Sequence, residues 1–313
     1  MRNFTNILYV SRGTTEEAEG LKQALSLARN NKASLKVLVA CPELPKKMID
    51  FTAKYEESLL QQINASIEAT RSALDVSRED VDIVVELVTD DKPSVRIVQE
   101  VLRGGHDLLV KEAETQGRVS GFRAIDMAIL RKCPSPVWLC RPIKRSRKDI
   151  RVAVAIDPES EQEAARALSR QMLQLSRSLA DSCSSKLHIV SCWDFKYESF
   201  LRHSPWSRIS ERQIADSVTD ARDQHRQKLD VLIDEGKLTG AQEIHYLRGS
   251  AEEQIPAFIE DKSIDILVMG TVARTGIASF SIGNTAENIL QKLTCSLIAL
   301  KPKGFVSTVK AYD

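Results

Sequence analysis

The sequence predicts an α/β fold built from two tandem doubly wound domains, each a five-stranded parallel sheet with helices on both faces. Three observations support this. Short strand-like segments are apolar at all their central positions, segments with helical periodicity follow them, and the whole order occurs twice in 313 residues. Strands that are apolar on both faces are typical of parallel sheets covered by helices on both sides. A chain of this length accommodates two such domains.

The strand segments of the two halves align in the same order. The matched pairs are NILYVS from Asn6 with VAVAID from Val152, LKVLVA from Leu35 with LHIVSC from Leu187, DLLVKE from Asp107 with DILVMG from Asp265, and ILRKCPSPVWLCRP from Ile129 with ILQKLTCSLIALKP from Ile289. With one more strand near residue 82 and another near 243, each half has five. We therefore predict one domain over 1–143, a second over 149–303 and a C-terminal tail over 304–313. The basic stretch over 143–149 is interpreted as a solvated linker.

Helical periodicity is clearest in the second half. One stripe comprises Ala165, Leu168, Met172, Leu175 and Leu179, and a longer helical run covers 209–235. Ser250 with Glu253, and Asn284 with Glu287, have the spacing of helix-capping boxes.

Composition excludes several classes of function. Lys and Arg number 44 against 43 Asp and Glu, so the net charge of +1 provides no general attraction for nucleic acid or an anionic membrane. No apolar run approaches the roughly 20 residues of a membrane span, and no signal-peptide core is evident, so a cytoplasmic location is expected. The six cysteines form no CxxC pair and are predicted to be buried and reduced. The five histidines show no zinc spacing, so no dedicated metal site is predicted.

The segment GTVARTGIASFSIGNTAENI, residues 270–289, follows a predicted strand and carries the candidate site. In doubly wound sheets, ligands bind beyond the carboxyl ends of the strands. Open backbone would come from Gly270, Gly276 and Gly283, helix-start donors from Asn284 and Thr285, and a phosphate partner from Arg274.

Asp157, which follows the first strand of the second half, lies at the same predicted rim and could accept hydrogen bonds from a ribose. The alternative is that the glycines only form turns and that Asp157 caps a helix with Pro158 at its first position. The residues alone leave both interpretations open, because neither GxxxxGK[ST] nor GxGxxG is present.

This loop resembles that of the universal stress protein family, whose pattern is Gly, two residues, Gly, nine residues, then Gly and Ser or Thr. Gly270 and Gly283 match the first and third glycines, Asn284 takes the Ser/Thr position, and Ala273 replaces the middle glycine. A β-carbon there costs about 1 kcal/mol if the backbone is left-handed. The resemblance extends over the whole chain and is strongest to the tandem, E-type bacterial members.

The resemblance implies ATP or a related adenine nucleotide in the second domain, with Mg²⁺ accompanying it as the only metal. It places Asp157 beside the nucleoside, the main chain of Cys192 and Trp193 at the base, and the glycine loop at the phosphates. The first domain departs from the pattern, with Ser11 for Asp157, Glu112 for Gly270 and Arg123 for Gly283. A carboxylate at that position repels phosphate, so the first domain is predicted not to bind a nucleotide.

These observations favour a non-catalytic stress-response protein whose second domain binds a nucleotide or other small ligand, with slow ATP hydrolysis left open. No catalytic residues are predicted, since no GxSxG or comparable motif occurs. The alternative is a scaffold without nucleotide binding, in which aromatic and apolar connectors over 41–55 and 192–210 enclose an acyl or lipid-like ligand in a central cavity. SPVWLC and CSLIAL are expected to pair within the chain as a pseudo-dimer; a homodimer is the other arrangement considered.

Overall fold

The computed structural model describes residues 4–13, 18–114, 121–203, 209–271 and 282–312. The chain divides into two compact units. The first comprises the described parts of 1–144, 271–282 and 295–313, and the second those of 145–270 and 283–294. The predicted α/β class is confirmed, with parallel-dominated strands covered by helices.

In the first unit a parallel sheet is built from the whole first repeat. Its strands are β1 (Asn6–Ser11), β2 (Ser34–Cys41), β3 (Ile83–Thr89), β4 (Leu108–Glu112) and β5 (Val137–Cys140). Its helices are α1 (Ala18–Asn31), α2 (Thr52–Leu74), α3 (Pro93–Gly104) and α4 (Ala124–Lys132). The strand order is β3-β2-β1-β4-β5. Both faces are buried, as the apolar sequence of β1 requires: Ile7, Leu8 and Tyr9 are fully inaccessible to solvent.

The second unit contains four parallel strands and five α-helices among its described residues. The strands are β6 (Val152–Ala155), β7 (Leu187–Trp193), β8 (Gln242–Arg248) and β9 (Ile266–Gly270), in the order β9-β6-β7-β8. The helices are α5 (Glu163–Ser182), α6 (Glu198–His203), α7 (Glu211–Gly236), α8 (Ala251–Asp261) and α9 (Asn284–Leu290).

The last strand, β10 (Ser296–Leu300), belongs to the first unit although its sequence comes from the second repeat. It pairs antiparallel with β5, Ile298 opposite Trp138, which confirms the expected pairing of SPVWLC with CSLIAL. The buried ammonium of Lys301 donates to the carbonyl oxygens of Arg131 and Cys133 at the end of α4. Burial lowers the pKa of Lys301 to about 8. This strand therefore both covers the edge of β5 and satisfies carbonyl groups that α4 leaves open.

The helix starts show which capping predictions hold. Ser250 is the N-cap of α8, as predicted, but its side chain accepts no capping hydrogen bond. The N-cap of α9 is Gly283 rather than Asn284, which lies inside the first turn. The full capping box occurs instead at α7, where Ser210 and Gln213 exchange side-chain to backbone hydrogen bonds.

Within the described ranges, none of the helices combines the length and apolar character needed to cross a membrane. All six cysteines are free thiols, and only Cys192 is partly accessible. The expected burial of the cysteines is therefore observed for the other five.

Candidate functional site

Asp157 lies two residues beyond the end of β6 and is exposed at the carboxyl edge of the sheet. Its Oδ1 accepts a hydrogen bond from the backbone N–H of Glu159 at 3.2 Å, so it closes a turn. The interpretation of Asp157 as the cap of a helix that begins at Pro158 is wrong. Helix α5 begins at Glu163, after the N-cap Gln162. The turn leaves the Asp157 carboxylate at the rim of the strands.

Cys192 and Trp193, at the end of the neighbouring strand β7, differ in what their main-chain groups contact. The carbonyl of Trp193 accepts from Gly249 N at 2.9 Å, on the β8 side, whereas that of Val190 accepts from Ile156 N on the β6 side. Because backbone groups alternate sides along a strand, those of Cys192 face the β6 side, beyond the end of β6. The structure therefore directs the main chain of Cys192, and not that of Trp193, toward the turn that carries the rim carboxylate.

The side chains of Cys192 and Trp193 also differ in their surroundings. Burial, with a contribution from the negative charge of Asp157, raises the pKa of the Cys192 thiol to about 12, so it is neutral at physiological pH. The guanidinium of Arg248 lies 5.6 Å from the centroid of the Trp193 ring. Trp193 is thus part of a cation–π contact on the outer side of the site.

Gly270 closes β9 at the same edge, and its lack of a side chain has a packing reason. A Cβ atom added to it would lie 3.2 Å from Leu168 Cδ2 of α5, a contact tighter than is usual. The predicted site residues Arg274 and Gly276, like Ala273, lie outside the described residues. The phosphate-binding role predicted for this loop therefore remains a prediction.

The loop re-enters the described structure before α9. Gly283 adopts an extended backbone, with φ −66° and ψ 146°, and no side chain caps the helix there. Asn284 and Thr285 are exposed in the first turn. The structure thus places Asp157, Cys192, Gly270 and Gly283 at strand ends or helix starts of one unit, as the sequence predicts for a ligand edge.

A polar network that the sequence analysis missed lies at this edge, with Ser191 and His225 buried and Glu159 and Lys228 partly exposed. Ser191 Oγ and His225 Nε2 are 2.8 Å apart, and His225 Nδ1 and Glu159 Oε1 are also 2.8 Å apart. Lys228 Nζ donates to the other oxygen of Glu159 at 2.6 Å. Burial raises the pKa of Glu159, but the hydrogen bonds from Lys228 and His225 outweigh burial, and the net pKa is lowered. The sequence places His225 only within the helical run over 209–235.

The corresponding edge of the first unit is occupied by the protein's own charges. Lys111 Nζ, on β4, lies 2.9 Å from Asp126 Oδ1, on α4, and both side chains are almost completely buried. The second oxygen of Asp126 accepts from Glu114 N at 2.9 Å. Glu112, which replaces Gly270 in this repeat, accepts from Gly20 N at 3.0 Å. These contacts support the prediction that this edge does not receive a phosphate.

Next to this ion pair, the first unit contains an apolar cavity of about 220 Å³. It lies at the carboxyl ends of β1, β2 and β4. Apolar lining residues include Val10, Ala40, Tyr55, Ile97 and Ile125. The segment that precedes α2, a few residues before Tyr55, has three exposed apolar side chains: Met48, Ile49 and Phe51. The predicted connector 41–55 therefore presents apolar groups to solvent at its middle and contributes Tyr55 to a cavity within its own unit.

Comparison with known proteins identifies the family. The profile of the Universal stress protein family matches the chain twice, over residues 3–141 and 150–301. The chain belongs to the universal stress protein family. Because both matches lie in one chain, the tandem arrangement inferred from the internal repeat is also confirmed.

Individual universal stress proteins resemble this chain over its full length. Universal stress protein E of Escherichia coli strain K12 is 27% identical, with 100% of this chain and 99% of the relative covered. Universal stress protein E of Photorhabdus laumondii is also 27% identical, with 99% of each covered. A crystal structure from Pseudomonas aeruginosa UCBPP-PA14 has a TM-score of 0.71 and 21% identity, covering 96% of this chain and 94% of that chain. A universal stress protein from Archaeoglobus fulgidus has a TM-score of 0.62 and 14% identity, covering 95% and 98%. The full-length similarity supports a role in stress response, and the structural neighbours show the fold.

Proposed function

We propose that the second unit binds an adenine nucleotide of the ATP type and acts as a non-catalytic binding module in the stress response. The observation that carries the proposal is an exposed carboxylate, Asp157, at the same carboxyl edge as the main chain of Cys192, which faces the turn that holds this carboxylate. A carboxylate accepts hydrogen bonds from ribose hydroxyls, and a main-chain N–H and C=O read the edge of a base. Phosphates would lie toward Gly283, Asn284 and Thr285, with Arg274, Gly276 and Mg²⁺ completing their coordination.

The Ser191–His225–Glu159 network favours a structural role over catalysis. Its sequence of groups resembles a serine hydrolase triad, but the Ser191 hydroxyl donates to the carbonyl of Ile156 at 2.8 Å. Ser191 is also only 1% exposed, so no substrate reaches it. The network instead connects α7 to the ends of β6 and β7 and so fixes the turn that presents Asp157.

A thermal-shift series on the full chain tests the proposal. Millimolar ATP, ADP or AMP with Mg²⁺ is expected to raise the melting temperature, because a ligand that binds only the folded state stabilises it by mass action. Asp157→Ala should reduce the shift, whereas Asp216→Ala, which removes an exposed carboxylate on α7, should leave it unchanged. Absence of a shift in the unaltered protein with all three nucleotides would refute nucleotide binding.

A second candidate function is retention of an apolar ligand by the first unit, and its cavity is the observation that favours it. The cavity is lined mainly by apolar side chains, and about 220 Å³ holds part of an acyl chain rather than a polyphosphate. Three charged residues, Arg12, Lys111 and Glu114, also line the cavity, and the charge of Lys111 is neutralised by Asp126. This supports the expected acyl or lipid-like ligand, in a cavity within one unit.

Native mass spectrometry of the full chain, purified without added ligand, tests this second function. A bound apolar molecule is expected to appear as a mass increment that disappears after organic extraction. Ile97→Trp should fill the cavity and remove the increment, whereas Val84→Thr, at an exposed position on β3, should not. A protein that carries no increment and takes up no added fatty acid would contradict the idea.

A further inference from the structure

Two histidines and a glutamate of the second unit converge between the start of strand β7 and the amino-terminal half of β8, away from the carboxyl edge. His188 is in register with Glu243 across the two strands, and His245 follows two residues later on the same face. His188 Nδ1 lies 3.1 Å from His245 Nε2, and His245 Nε2 lies 3.7 Å from Glu243 Oε1. One ligand atom from each residue falls within 4.8 Å of the other two.

The distances of 3.1 Å and 3.7 Å from His245 Nε2 to the other two ligand atoms are close to the spacing of ligand atoms around a tetrahedral zinc ion. Zn–N and Zn–O bonds of about 2.0–2.2 Å at tetrahedral angles place neighbouring ligand atoms roughly 3.3 Å apart. We propose that His188, Glu243 and His245 form a binding site for a divalent ion of the zinc type. Two imidazoles and one carboxylate are a common zinc ligand set, and three protein ligands leave a fourth position for water.

The surroundings hold the three ligands in place. The Phe258 ring of α8 contacts both imidazoles, with centroids 4.6 Å from His245 and 6.3 Å from His188. Lys186 Nζ lies 2.6 Å from Glu243 Oε2, so it occupies one carboxylate oxygen and leaves Oε1 for the metal. A carboxylate ligand whose second oxygen is hydrogen-bonded is the usual outer-shell arrangement of metal sites. Lys186 is half exposed, so its charge is screened by solvent.

The first repeat provides an internal comparison. The aligned strands place Lys36 where the second repeat has His188, and the register of β3 places Glu86 where β8 has His245. In the first repeat, Lys36 Nζ lies 2.6 Å from both Glu86 and Glu100. One copy therefore satisfies this position with its own ammonium group and two carboxylates. The other copy has two imidazoles and a carboxylate. Without a cation one ring nitrogen donates a hydrogen bond to the other, and with a bound cation each of the three groups offers it a lone pair.

Metal titration of the full chain tests the proposal. Isothermal titration with Zn²⁺ and the visible absorption of bound Co²⁺ are expected to show one site with the intense bands of tetrahedral Co²⁺. His245→Gln and Glu243→Gln should each weaken binding at least 10-fold and reduce the Co²⁺ bands. Glu243 is substantially exposed, so its variant retains the fold, which circular dichroism checks.

Two control variants separate this site from adventitious binding. His203→Gln removes an exposed histidine of α6, and Glu86→Gln alters the matching position of the first repeat; both should bind Zn²⁺ like the unaltered protein. Equal affinity in the unaltered protein and His245→Gln would overturn the proposal. So would a loss of binding in Glu86→Gln, or a dissociation constant above about 1 mM. The outcome does not depend on nucleotide binding, since the metal is added alone.

Discussion

The buried ion pair between Lys111 and Asp126 distinguishes the carboxyl edge of the first unit from that of the second. Breaking this pair tests how much it stabilises the first unit. Asp126 is fully buried, Lys111 is 4% exposed, and their charged atoms are 2.9 Å apart. Asp126→Asn leaves the Lys111 ammonium buried with neutral acceptors only, the carbonyl of Glu112 and the amide oxygen of the new side chain. Removing one member of a buried pair costs about 3–5 kcal/mol, and the retained carbonyl contact favours the lower end.

A decrease of about 3 kcal/mol in local stability corresponds to a more than 100-fold increase in the equilibrium constant for opening of this region. Hydrogen exchange with mass spectrometry on the full chain, followed in peptides covering β4 and α4, measures that opening locally. This suits a two-unit chain, whose global unfolding need not be two-state. The double variant Lys111→Met with Asp126→Leu should recover most of the stability, because an apolar pair replaces the charges. The reasoning would be refuted if Asp126→Asn lowered the local stability by less than about 1 kcal/mol. It would also be refuted if the double variant were no more stable than Asp126→Asn.

Two further predictions concern local backbone geometry and acid stability. Gly13→Ala should destabilise the first unit by at least about 1 kcal/mol in urea unfolding, because Gly13 has φ +78° and a Cβ there would meet a leucine side chain of α2 at 2.8 Å. Hydrogen bonds from Lys228 and His225 lower the pKa of Glu159 below its ordinary value of 4.5. The stability that ionised Glu159 contributes is therefore fully present above pH 4.5 and is lost as the pH falls through the pKa of the folded state. The stability difference between the unaltered protein and Glu159→Gln should therefore be largest near pH 6 and shrink below about pH 4.5; a difference that grows on acidification would contradict the assignment.

The fold was predictable because its signals are local and repeated. Apolar strand segments such as NILYVS and LHIVSC define buried parallel strands by themselves, and their duplication fixes the order. Cap positions were less predictable, since Gly283 and Asn284 are adjacent and both are accepted at an N-cap. One of the two interpretations left open for Asp157 put a helix start at Pro158, because Asp157 and Pro158 form a turn whose sequence also suits a helix start.

The polar clusters could not be predicted from sequence because their members are distant along the chain. Glu159 and His225 are 66 residues apart, and His188 and His245 are 57 residues apart. Strand register brings His188 and His245 together, whereas the packing of α7 brings His225 to Glu159, and both depend on the whole fold. The position of Asp157 at the edge of the sheet could be predicted from the sequence, because the carboxyl ends of parallel strands lie at one edge.

The central claim is that only the second unit binds a nucleotide. Calorimetric titration with Mg²⁺-ATP tests this claim most directly. Gly283 has an extended backbone that any residue adopts, so Gly283→Ser and Gly283→Asp should both fold and cap α9. We expect one nucleotide per chain in the unaltered protein and in Gly283→Ser, and at least a 10-fold loss of affinity in Gly283→Asp, whose carboxylate repels phosphate. Two nucleotides per chain, or equal affinity in the serine and aspartate variants, would contradict the account.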